Sequence, residues 1–154
     1  STPARVSTSA ASEVTQPKAH LTARQKARKR AVDILFEADL RERDVLVTLA
    51  ERTHDAEPPV VSMTDEIVRG VVTHGDSLDA AIGAALAPGW TLWRMPRVDR
   101  TIARIGAYEL AHTETPRDVV ISEAVRLAQA LSTDDSPAFL NAVLARLGEE
   151  VPGR

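Results

Sequence analysis

The segment KAHLTARQKARKRAVDILFEADL, Lys18 to Leu40, constrains this chain most, because it joins a cationic end to an apolar stripe at helical spacing. Ala27, Ala31, Ile34, Leu35 and Ala38 recur at i, i+4, i+7, i+8 and i+11, one buried face of an α-helix. Thr22 is a natural N-cap for that helix. Its first turns gather Arg24, Lys26, Arg28, Lys29 and Arg30, with Lys18 just before and no acidic residue among them. The helix macrodipole already places partial positive charge there, so each added cation costs on the order of 0.3–1 kcal/mol. A helix end that accepts this cost is suited to receive an anion. The rest of the chain sharpens the contrast. The total charge is −3; with the segment's six cations and a neutral Ser1–Pro17 set aside, Ala31–Arg154 carries −9. One basic patch on an acidic body points to a local polyanion site.

The same helical spacing recurs downstream. Asp44 can cap a second helix with Val45, Leu46, Leu49 and Ala50 inward, and Ser62 or Thr64 a third bearing Ile67, Val68, Val71 and Val72. After the HGD turn, Leu78, Ile82 and Ala85 line a fourth helix that Pro88-Gly89 stops. The connection WTLWRMP holds both tryptophans, Trp90 and Trp93, which are expected to plug a gap between helices. Pro96 suits the opening of a fifth helix so apolar around its girth that it must be central, with Arg100 and Arg104 as its wet strip. Gly106 there would let a neighbour approach closely. Pro116 opens a sixth helix carrying Val120, Ile121, Ala124, Val125, Ala128 and Leu131. Ser136-Pro137 opens a seventh that buries Phe139, Leu140, Val143, Leu144 and Leu147. With no sustained period-two alternation, the expected fold class is all-α, a compact bundle of about seven helices. Residues 20–150 form the single domain, and 1–19, rich in Ser, Thr and Ala, an expected disordered tail.

Aromatic residues make up 3% of the chain, so small aliphatic side chains must do the packing. There is no cysteine, hence no disulfide and no thiolate metal ligand. No apolar run approaches the ~20 residues that span a bilayer, and the N-terminus lacks the apolar core of a secretory signal, so a cytoplasmic setting is expected. The four histidines, His20, His54, His74 and His112, fall near helix ends or turns and share no metal-ligand spacing. Asp134-Asp135 reads as capping chemistry beside Ser136. No phosphate-binding glycine loop or nucleophile elbow is present, so neither an enzyme nor a bound cofactor is expected.

Four segments together resemble the NusB family of transcription antitermination factors: ARQKARKRAVDILFEADL, DAAIGAALAPGW, VDRTIARIGAYEL and PRDVVISEAVRLAQALSTDDSPAFLNAVLARL. The resemblance covers about Ala23 to Leu147. It implies two packed helical subdomains and no catalysis. It further implies binding of the single-stranded boxA RNA of ribosomal RNA operon transcripts. The expected partners are NusE, a ribosomal small-subunit protein, and the RNA polymerase antitermination complex, with a homodimer also possible. Carried over by position, Arg24, Lys26 and Arg28 contact phosphates, with Lys29 and Arg30 as additional cations and Gln25 where relatives often have Arg. Asp135 and Phe139 match the family's second RNA edge, where Leu131 replaces an aromatic. Phe36 and Asp99 match the NusE face. Two rival readings stay open: a helical protein-interaction module without an RNA role, and an accessory domain like those fused to ribosomal RNA methyltransferases. The second needs a catalytic domain that the sequence does not extend to.

Overall fold

A computed structural model of the chain describes residues 20–55 and 60–149. The expected tail at 1–19, including Lys18, lies outside the described residues, as does part of the loop after His54. Among the described residues there are seven α-helices and no strand. They are α1 (Ala23–Leu40), α2 (Val45–His54), α3 (Ser62–Thr73), α4 (Gly75–Ala85), α5 (Arg97–His112), α6 (Arg117–Leu131) and α7 (Ser136–Glu149). One 3-10 turn, Leu92–Arg94, bridges α4 and α5.

The local signals placed most helix starts. Thr22 caps α1 within a full capping box: its hydroxyl accepts from the Gln25 backbone N–H at 3.1 Å. The Gln25 side-chain oxygen in turn accepts from the Thr22 N–H at 2.9 Å. Asp44 caps α2 by accepting from the Leu46 and Val47 N–H groups. Pro96 and Pro116 occupy the N-cap positions of α5 and α6, just before the first helical residue. Neither Ser62 nor Thr64 caps α3. Its N-cap is Val61, and Thr64 is instead buried, donating to the Ala27 carbonyl of α1 at 2.9 Å.

Helix α5 is the axis, in contact with α1, α3, α4, α6 and α7. One group, α1–α2–α3, packs on one side of it and α6–α7 on another, giving the two-part helical body that the family resemblance implied. Ten of its residues are buried, including Ile102, Ala103, Ile105, Ala107 and Leu110. A methyl group on Gly106 would lie 2.8 Å from a Leu144 methyl of α7, so the glycine permits the close approach. All five stripe residues of α1 are buried in this interior.

Some burial expectations needed correction. Leu46 and Val72 are exposed, since α2 and α3 are covered on narrower faces than their apolar content suggested. Trp90 and Trp93 do not plug a gap. They are 45% and 68% exposed, while Leu92 and Met95 between and beside them anchor the connection. Arg100 is not wet either: it is 5% exposed, donating to Asp39 of α1 and lying under the Trp93 ring. Leu35→Ala, which empties a core position between α1 and its neighbours, should cost about 2–5 kcal/mol in urea unfolding. A loss under ~0.5 kcal/mol is what a surface position would give.

Candidate nucleic-acid interface

The basic end of α1 divides into residues that face water and one that does not. Arg24 and Lys26 are exposed, Lys29 and Arg30 half-buried. Lys29 is occupied by Asp33 one turn on, at 2.9 Å. Arg28 is 3% exposed and forms a two-pronged ion pair with Glu109 of α5, Nε to Oε2 at 2.8 Å and Nη2 to Oε1 at 2.9 Å. This corrects the expectation that Arg28 contacts phosphate: its guanidinium is spent inside the fold. Hydrogen bonding to Glu109 is also the chief cause that raises its pKa, against the opposing effect of burial.

Gln25 acquires a role of its own. Besides closing the capping box, its amide donates to Glu123 of α6 at 3.0 Å, so it ties the cationic end to α6. An arginine there would carry one more charge but could not accept from the Thr22 N–H. No acid stands in the first turn of α1, so the exposed Arg24 and Lys26 add to the positive end of the helix dipole. A cleft of about 470 Å³ opens beside it, lined by Arg24, Met63, Glu66, Tyr108 and Glu114 among others. Another cleft, of about 650 Å³, lies toward the other end of α1. Its four arginines are paired, Arg97 and Arg100 with Asp39, Arg104 with Asp79 and Arg43 with Glu51, so it offers no comparable surplus of positive charge.

At the far end of α6 the turn into α7 carries the second set of expected residues. Asp135 is exposed there, and Phe139 is half-buried against the core and the Trp90 ring, with centroids 5.8 Å apart. Leu131 packs against the core as well. Asp99 also acts here, though not as a partner contact. It is 3% exposed and accepts from Ser132 at 2.5 Å and from Ser136 at 2.9 Å, clamping the start of α5 to the α6–α7 turn. The expectation of a partner-facing Asp99 is thereby corrected: two serine hydroxyls consume its carboxylate. Phe36 is half-buried on α1.

The comparisons with known proteins fit this architecture. The family model for NusB matches residues 25–149. The chain belongs to the NusB family. A transcription antitermination protein NusB from Salinispora arenicola is 51% identical over 133 residues, covering 84% of this chain and 97% of that protein. One from Cutibacterium acnes is 49% identical over 139 residues, covering 90% of this chain, which spans 53% of that longer relative. Among solved structures, Thermotoga maritima NusB superposes with a TM-score of 0.75 at 28% identity, covering 86% of this chain and 94% of that one. The NusB of a crystal structure of antitermination factors NusB and NusE in complex with dsRNA gives 0.70 at 23% identity, covering 82% and 96%, a likeness of fold. Among the described residues no helix is long and apolar enough to cross a membrane, and no cluster of three or more His, Cys, Asp or Glu could hold a metal.

Sequence reasoning missed Glu109 as the partner of Arg28, and Trp90 as the neighbour of Phe139. It also missed that His112 stacks on His74, centroids 3.7 Å apart at 14°. His112 is exposed, yet partial loss of hydration, and then repulsion from His74, lower its pKa from the ordinary value.

Two predictions follow from these groups. Arg28→Gln removes a buried two-pronged ion pair and should cost about 3–5 kcal/mol in urea unfolding, whereas Arg24→Gln should stay within ~0.5 kcal/mol of the parent. Because folding lowers the His112 pKa, its contribution to stability is complete above the unfolded value of about 6.5 and is lost as pH falls through the folded value. Thermal melts between pH 7.5 and 5 should show this acid loss reduced in His112→Gln. An identical pH profile in the variant would mean the stack contributes nothing.

Proposed function

We propose that this chain is a transcription antitermination factor that binds the single-stranded boxA RNA of ribosomal RNA operon transcripts together with NusE. The observation that carries this reading is the exposed pair Arg24 and Lys26 at the positive end of an acid-free first turn, in a member of the NusB family. Phosphates approaching that end meet two cations and the positive end of the α1 dipole. The half-buried Lys29 and Arg30 extend the positive field along the helix, and the acidic remainder of the chain confines RNA to it. Asp135 and Phe139 form a second RNA contact at the α6–α7 turn, suited to base edges and base faces more than to phosphate. Phe36 serves the NusE face. The part played is binding and assembly with the transcribing polymerase, without catalysis, and the working unit is the single domain 20–150. The curated relatives that share half of this sequence are transcription antitermination proteins, which supports the reading.

Electrostatic binding makes a quantitative demand. For a single strand, log affinity falls against log salt by about 0.7 per phosphate neutralised. Replacing Arg24 and Lys26 by Gln should therefore flatten the slope by about 1.4 units in filter binding to boxA RNA. The same variant should melt at or slightly above the parental temperature, because it removes cations from a helix N-terminus. A parental salt slope in the double variant would sink the phosphate assignment. A parent that does not distinguish boxA from a scrambled RNA would favour the protein-interaction reading. Phe36→Ala should weaken NusE binding in calorimetry with little change in RNA affinity. Loss of self-association instead would mark that face as a homodimer contact.

A further inference from the structure

The connection between α4 and α5 presents an aromatic surface that the RNA reading does not yet use. Trp90 follows a tight turn in which Gly89 takes a φ of +89° and the Trp90 N–H donates to the Ala87 carbonyl at 3.0 Å. Only glycine adopts that backbone readily, and the turn carries the indole out of the core. Leu92 and Met95 then bury themselves and fasten the connection, so the exposure of Trp90 is held by its neighbours on both sides. A tryptophan normally contributes its large apolar area to a core or an interface. Here nearly half of it faces water.

Two contacts make this indole more than a stray apolar residue. Its ring meets Phe139 at 5.8 Å and 47°, so rings from two separate elements form one surface at the head of α7. The Arg94 guanidinium lies over the indole, its carbon 5.2 Å from the centroid, and is held there by donating to the Gly89 carbonyl at 2.6 Å. An aromatic platform with a cation on it is the combination that holds unpaired bases, by stacking and cation–π attraction together. Asp135 is exposed on the turn that leads into the same helix. A carboxylate there repels phosphate but accepts hydrogen bonds from an exocyclic amine such as that of cytosine.

We infer that Trp90, with Phe139 and Arg94, is a stacking platform for a base of the bound single-stranded RNA. This inference rests on the RNA-binding reading above and adds to it a residue from outside α6 and α7. The basic end of α1 then holds the backbone while the turn at α7 holds bases. Helix α6 links the two: Gln25 touches Glu123, and Leu131 is eight residues further, about 12 Å at 1.5 Å per residue. Leu131, where the family can show an aromatic, packs against the core, and the ring at this edge comes from Trp90.

The chain has two tryptophans, so Trp93→Phe leaves Trp90 as the sole indole reporter. Titrating that variant with a boxA RNA oligonucleotide should quench Trp90 emission in step with the binding isotherm. Trp90→Leu should weaken RNA binding by roughly 5- to 150-fold, the usual range for loss of one stacked base. Its salt slope should remain parental, because no phosphate contact is lost. Trp90 emission unchanged at saturating RNA, or Trp90→Leu affinity within twofold of the parent, overturns the platform while leaving the RNA reading intact. Weakened NusE binding at parental RNA affinity also overturns it, assigning the surface to protein. A parent without salt-sensitive RNA binding overturns both readings.

Discussion

The Arg28–Glu109 ion pair fixes how α1 lies on α5, and the rest of the molecule is arranged around that contact. Both side chains are nearly inaccessible, and both oxygens of the carboxylate are engaged. Desolvating two charges is costly, and a two-pronged geometry offsets that cost only at one relative position of the helices. The pair therefore acts as a register pin where small aliphatic side chains alone would permit sliding. It also determines which cations of α1 remain available. With Arg28 turned inward, Arg24 and Lys26, two residues apart, are left exposed at the wet end of the helix.

Three further polar links extend the same logic to the other end of α5. Asp39 of α1 accepts from Arg97 and Arg100, which docks the C-terminus of α1 on the N-terminus of α5. Asp99 clamps the α6–α7 turn through Ser132 and Ser136. Arg104 reaches Asp79 of α4 in another two-pronged pair. With few aromatic residues to interlock, this core obtains much of its specificity from charged side chains placed at fixed heights along one central helix. The two surfaces proposed for RNA occupy what remains: the end of α1 whose first turn holds no acid, and the α6–α7 turn with the Trp90 ring beside it.

The division of labour between these surfaces follows from their charge. In the proposed reading, the cations at the positive end of α1 attract any phosphate, independent of sequence. A carboxylate beside aromatic rings at α7 repels phosphate and favours the flat, hydrogen-bonding parts of a nucleotide. One strand contacting both would be oriented by the first and read by the second.

Helical periodicity, capping residues and prolines were enough to locate all seven helices and the apolar stripe of α1, because those signals act within a few residues of chain. They also showed that positive charge was concentrated in one place. What the local pattern could not reveal was which polar residues would be consumed in the interior. Arg28 looks like its neighbours until Glu109, 81 positions away, is brought against it. Asp99 looks like an ordinary acid at a helix start until two serines from the α6–α7 turn close on it. Trp90 and Trp93 look like core residues by composition, yet the connection turns them outward while Leu92 and Met95 take the buried places. The sequence by itself determined the helices and the polarity of α1. Only the tertiary structure decided which charges face water, because burial and ion pairing depend on partners distant in the chain.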